Sequence, residues 1–283
     1  MDSPFWDRHP SGHLFAAPNQ IQNRDGQKWP TKPLPPRIDH AQKIIVLRGH
    51  RAQAGPDGNA PAMLEAHFLW LSGHCHCVLP GEILSQDKPN VCLTFDDAYF
   101  DFYAVVWPLL EKHGLRAVLG VTPRVIREVA LFPAETRINA PVDLNQSQLY
   151  TDSFCTWPEL STLAASGQVM IAAQSYHSHS LNRKDIDFTG EIARSQEELS
   201  GRLNQTIDCF AFPDEEFCGA AVRKVHEYYR YVFGGGPAIN RSWSRSLLFR
   251  CNNDEMTAPN SFLPKTSSMA SKWWPFRDHL QSA

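Results

Sequence analysis

Short apolar runs and helical-period segments alternate along this chain from residue 44 to about residue 233. Ile44-Ile45-Val46-Leu47 is an unbroken apolar run, the pattern of a strand buried on both faces. Ala60 to Ser72 carries Met63, Leu64, Phe68, Leu69 and Leu71 at helical spacing, with Gly73 placed to stop the helix. His74 to Leu79 reads as a strand closed by Pro80-Gly81, and Val91 to Phe95 as the next strand. A helix follows from about Phe102 to His113, stopped by Gly114, and then a strand from Ala117 to Val121. The same alternation gives a helix at Trp157 to Ser166 ended by Gly167, a strand at Val169 to Ala172, and an amphipathic helix at Glu191 to Leu203. Cys209 to Phe212 and Tyr231 to Phe233 are further strands, with a helix at Ala220 to Tyr228 between them. Strand and helix in turn over about 200 residues predict a parallel sheet or barrel with helices outside. Residues 1–40 show neither period, are rich in Pro, Asn, Gln and Asp, and end in Pro33-Leu34-Pro35-Pro36. They read as an extension that wraps the surface or stays mobile, and Phe5, Trp6, Phe15 and Trp29 favour wrapping. The expected organisation is therefore an extended segment, 1–40, and one domain, 41–283.

The 283 residues suffice for a full core, and 42% hydrophobic with 20% charged residues is an ordinary soluble composition. A net charge of −3 gives no electrostatic footprint for nucleic acid or an anionic membrane, and no apolar run reaches the length of a membrane span. The start, Met1-Asp2-Ser3-Pro4-Phe5-Trp6-Asp7, lacks the basic and apolar regions of a secretory signal. Seven scattered cysteines, an odd number, read as reduced and mostly buried thiols, so a cytoplasmic location is expected.

Candidate chemistry concentrates at Asp96-Asp97, directly after the Val91 to Phe95 strand. Two buried adjacent carboxylates cost several kcal/mol unless a cation or a shared proton compensates. The pair is a metal site, an acid/base dyad or a solvated strand end, and the apolar strand before it weighs against the last. In a barrel, sites lie at the C-terminal ends of strands, where this pair falls. Two other features carry less. Gly73-His74-Cys75-His76-Cys77 looks like a soft-metal cluster, but it alternates with the period of a strand and has no second cluster at zinc-site spacing. Gly234-Gly235-Gly236-Pro237 lacks the Lys-Ser/Thr and the helix of a phosphate loop.

Val91-Cys92-Leu93-Thr94-Phe95-Asp96-Asp97-Ala98-Tyr99 resembles the first motif of the polysaccharide deacetylase family, carbohydrate esterase family 4, with Ala98 where the family has Gly. Trp107 to Ala117, Thr156 to Leu160 with Ser166 to Ala172, and Phe210-Ala211-Phe212-Pro213 resemble later family segments in order, so that the likeness covers about residues 44 to 250. Within the family the chain resembles most the poly-N-acetylglucosamine deacetylases of biofilm systems, whose second motif is Ser-His-Ser/Thr followed, after three intervening residues, by a second His. The resemblance implies a distorted (β/α) barrel of the NodB type. It implies a hydrolase that removes an N-acyl group, N-acetyl above all, from an amino sugar or glycan. It also implies one divalent ion, expected as zinc, that activates a water and polarises the acyl oxygen.

Carried over by position, Asp96 is the general base, and Asp97 and His179 are metal ligands. The first ligand His falls on Gln174, a poorer ligand than imidazole, and His177 is an alternative if the loop kinks. Tyr99, Phe212, Pro213, Asp214 and Arg250 are candidate substrate contacts, Asp214 and Glu215 standing where the family often has Tyr-Gly. No late Leu-x-His segment supplies a general acid, and neither His226 nor His279 replaces it. The altered second motif keeps open a non-catalytic member that binds or scaffolds carbohydrate. Hydrolysis of a non-sugar amide is a third reading that rests on fold analogy.

Overall fold

A computed structural model of the chain describes residues 43–55, 57–140, 152–177, 181, 186–213, 217–236 and 238–262. Its strands are β1 (Ile44–Gly49), β2 (His76–Cys77), β3 (Asn90–Phe95), β4 (Ala117–Val121), β5 (Val169–Ala173), β6 (Cys209–Ala211), β7 (Tyr231–Gly235) and β8 (Leu248–Asn252). All pairings between them are parallel. β3 pairs with β4, and neighbours follow in order to β8, which pairs with β1. β1 pairs in turn with β3, from Ile44 opposite Asn90 to Gly49 opposite Phe95, and seven strands close into a barrel. β2 is a stub beside Asn90 and Val91 of β3, just before β4 joins at Leu93.

Side chains alternate along each strand, so one set fills the barrel and the other meets the helices. The interior layer holds Ile44, Val46, Cys92, Val118, Ala172, Cys209, Ala211, Phe233 and Leu248. The outward set, with Leu47, Val91, Leu93, Leu119 and Ile171, packs on the helices in the larger cluster. Those helices are α1 (Pro61–His74), α2 (Trp107–His113), α3 (Ala134–Ile138), α4 (Trp157–Ala165), α5 (Phe188–Leu203) and α6 (Gly219–Val225). Both faces of each strand are thus apolar, which is why the strands read as continuous runs.

Several ends differ from the sequence expectation. Gly73 lies inside α1, whose cap is Cys75. The strand expected from His74 to Leu79 shrinks to His76–Cys77, because the chain turns at Pro80 and Gly81. The helix expected from Phe102 begins as a five-residue π turn, Phe102–Val106, before α2, a form frequent near functional sites. The seven cysteines are free and five are buried; burial pushes the Cys77 thiol up to about 12. No helix among the described residues is long and apolar enough to cross a membrane.

Candidate active site

Two residues above the apolar interior layer, the inward positions are Arg48, Gly120, Gln174 and Arg250, and beyond them His50 and Asp96. The polar groups of the site therefore follow from strand parity and from where each strand ends.

Asp96 follows β3 and is 3% exposed. Its Oδ1 accepts a hydrogen bond from Arg250 Nη1 at 2.5 Å, and Arg250 Nη2 donates to the Phe212 carbonyl at 3.2 Å. Its Oδ2 faces His50 Nε2 at 3.8 Å. His50 follows β1, and its Nδ1 lies 2.6 Å from Oδ2 of Asp254, which follows β8. The His50 backbone N–H donates to Asp254 Oδ1 at 3.1 Å. A carboxylate accepts, so His50 Nδ1 carries the hydrogen and Nε2 is turned to Asp96. Burial works against the His50 charge. The Asp254 hydrogen bond and the Asp96 and Asp254 charges outweigh it and Arg48, so the imidazole pKa is raised.

Asp97 and Ala98 both occupy the left-handed region, with φ of 68° and 50°. Such geometry costs an ordinary L-residue roughly 1–2 kcal/mol. It is held from three sides. Asp96 N–H donates to Gly49 O at 3.0 Å, Cys155 N–H to Ala98 O at 2.8 Å, and Asp97 N–H to Gln174 Oε1 at 2.7 Å. Burial, and then the Asp96 charge, push the Asp97 carboxyl up to about 6, against the pull of His50, Arg250 and Arg48.

Gln174 is fully buried and lies over Gly120 of the neighbouring β4, where an added Cβ would stand 2.7 Å from its Oε1. Its oxygen is used by Asp97 N–H, and its Nε2 has no hydrogen-bond partner among the described residues. Gln174, expected as a ligand, braces the Asp97 turn through the bond to that N–H. His177 is tied back by Glu191 of α5, whose Oε1 lies 2.6 Å from Nδ1 and whose Oε2 accepts the N–H groups of Tyr176 and His177. His179, Asp214 and Glu215 lie outside the described residues. Among the described residues no three His, Cys, Asp or Glu side chains form a group that could hold an ion. Of the expected ligands, Gln174 Oε1 accepts the Asp97 N–H, His177 Nδ1 lies against Glu191 Oε1, and Asp97 directly follows the Asp96 base at the end of β3. The cations that the Asp96-Asp97 pair asked for are present in the chain itself, as Arg250, His50 and Arg48.

Arg250, expected at substrate, tethers Asp96. Phe212 is buried against Phe210 and Phe217 and meets the site through its carbonyl; Pro213 follows it, half-buried. Tyr99 is 6% exposed, stacked on Phe154 at 5.0 Å, with the Arg51 guanidinium 4.4 Å from its ring, and so is part of the rim's framework. His50 and Asp254 were missed. The signal was there for His50, which directly follows a buried strand, as Asp96 does.

Residues 84–232 match the family model described as polysaccharide deacetylase. A stretch of 92 residues, 29% of the chain, is 36% identical to YxkH of Bacillus subtilis (strain 168), named for the same family; the match spans about 33% of that relative's length. The fold is similar to that of BC0361, a polysaccharide deacetylase from Bacillus cereus, with TM-score 0.63 and 17% identity over 80% of this chain and 69% of that one. It is similar as well to IcaB from Ammonifex degensii, with TM-score 0.61 and 18% identity over 82% and 98%. At these identities the structures speak for the fold, and the NodB-type (β/α) barrel is the one observed.

Proposed function

Because the chain belongs to the polysaccharide deacetylase family, we propose that it hydrolyses an N-acetyl group on an amino sugar or glycan, with Asp96 as base and His50 as acid. The observation that carries this reading is the line Arg250, Asp96, His50, Asp254 at the strand ends, with contacts of 2.5, 3.8 and 2.6 Å. Asp96 takes a proton from the attacking water as its oxygen bonds to the acyl carbon. His50, whose charged form is favoured by the Asp254 and Asp96 carboxylates, gives the Nε2 proton to the departing nitrogen as the C–N bond breaks. Asp96 and His50 face each other, so the proton gained by one can return to the other and reset the pair. Arg250 holds Asp96 in one orientation, and Asp254 fixes the His50 tautomer.

The family's divalent ion, with zinc as the expected metal, would polarise the acyl oxygen. It would be held by Asp97 and His179, with Gln174 or His177 beside them. Gln174, standing where the family has a ligand His, favours a second reading, a member that binds acetylated glycan without turnover. The test is acetate release from N-acetylglucosamine oligomers. His50→Gln should lower kcat by roughly 10²–10⁴ with KM kept, and Asp254→Asn by less. Unchanged kcat in both variants removes His50 from the reaction. A wild type that binds the oligomers and releases nothing selects the second reading.

A further inference from the structure

Behind Asp254 runs a buried polar chain that the reaction above leaves unused. His67 of α1 is fully buried against Phe68 and Phe262. Its Nδ1 lies 2.5 Å from the Pro259 carbonyl oxygen, which can only accept, so Nδ1 carries the hydrogen. Burial holds its pKa down at about 4, and the ring is neutral at pH 7. Nε2 is then a lone-pair acceptor, and it meets Asn253 Nδ2 at 3.1 Å. Asn253 is further held by its N–H on Arg48 O at 2.8 Å and by its carbonyl, which accepts Asn59 Nδ2 at 2.9 Å. The next residue is Asp254, and both of its carboxylate oxygens are on His50. A buried imidazole is costly unless both ring nitrogens are satisfied, and an aliphatic side chain would fill the space without that demand.

We propose that His67 is a positioning residue, which through Nε2 and Asn253 sets the Asp254 carboxylate against His50. His50 is faced by Asp254, Asp96 and Arg48, with Asp97 near, and among the described residues Asp254 is the one that bonds its Nδ1. The effect on rate rests on the reading of His50 as acid; the geometric claim does not.

Two substitutions separate the two ring nitrogens. In His67→Gln the side-chain oxygen reaches the Nε2 position and can still accept from Asn253. In His67→Asn the amide reaches only the Nδ1 position and keeps only Pro259. Both remove the same ring packing. The first readout is the His50 Nδ1–H proton resonance in the full chain carrying 15N-labelled histidine, shifted downfield by its carboxylate partner. The second is kcat on N-acetylglucosamine oligomers. His67→Gln should keep the resonance and stay near the wild-type kcat. His67→Asn should lose the resonance through exchange and fall in kcat by ten- to 10²-fold, the scale of a misplacement of about 1 Å. If His67→Asn does not fold, Asn253→Ala, which leaves the Pro259 bond in place, should show the same loss. Equal behaviour of Gln and Asn, or a resonance that survives in both Asn253→Ala and His67→Asn, overturns the proposal. Loss of the resonance with kcat unchanged upholds the positioning and removes His50 from the reaction.

Discussion

Replacing Arg250 by methionine removes the guanidinium that holds Asp96 and leaves the carboxylate where it is. Both side chains are buried, at 0% and 3% exposure, and their atoms are 2.5 Å apart. Breaking a buried pair from one side costs about 3–5 kcal/mol, because the remaining charge is left in a medium of low polarity. The Phe212 carbonyl also loses its donor, worth about 1 kcal/mol. His50, at 3.8 Å, stays to offset part of the loss. The net expectation is a destabilisation of about 3–5 kcal/mol, or a fall in Tm on the order of 10 °C. Urea unfolding at pH 7 of wild type, Arg250→Met, Asp96→Asn and the double variant measures it. Asn needs no counter-charge, so the double variant should be more stable than Arg250→Met, with a coupling of about 2 kcal/mol or more. A loss under about 1 kcal/mol for Arg250→Met, or additive effects, would refute the idea that the pair is held by Arg250.

Asp97→Asn should stabilise the protein at pH 7.5. The folded carboxyl titrates at about 6 against 3.8 unfolded, so native stability falls as pH rises through that window. The gain is up to about 3 kcal/mol, and it should vanish by about pH 4 in urea midpoints; a pH-independent difference contradicts it. Gly120→Ala should drive Gln174 out of place and free the Asp97 N–H, lowering acetate release and Tm together. Gln174→Ala combined with it should recover Tm, and failure to do so shows that the clash lies elsewhere. Gln174→His should bind zinc at least roughly tenfold more tightly than wild type by titration calorimetry, because imidazole replaces an engaged amide. A wild type that already binds one zinc as tightly as the variant would show that Gln174 is no obstacle.

The barrel was legible because its strands are buried on both faces and read as apolar runs that need no alternation to be seen. Their ends were less so. β2 is cut short by a turn at Pro80, and the left-handed turn at Asp97 and Ala98 has no glycine to announce it. Asp96 and Asp97 could be found because they are adjacent in sequence. His50 and Asp254 stand 204 residues apart and meet only when β1 pairs with β8 to close the barrel. Sequence type gives Gln174 a side-chain amide with an acceptor oxygen and a donor NH2, and only the fold of the Asp97 turn brings a backbone N–H to the oxygen. Arg250, expected at substrate, meets Asp96 only once β8 stands in the closed barrel.

The proposed reaction depends on Asp96 acting as a base on an acetylated amino sugar. The direct measurement is the rate of primary amine formation from N-acetylglucosamine oligomers by wild type and by Asp96→Asn, with circular dichroism showing that both are folded. A wild-type rate above background that falls by roughly 10²–10⁴ in Asp96→Asn is the predicted result. Equal rates in the two proteins would contradict it.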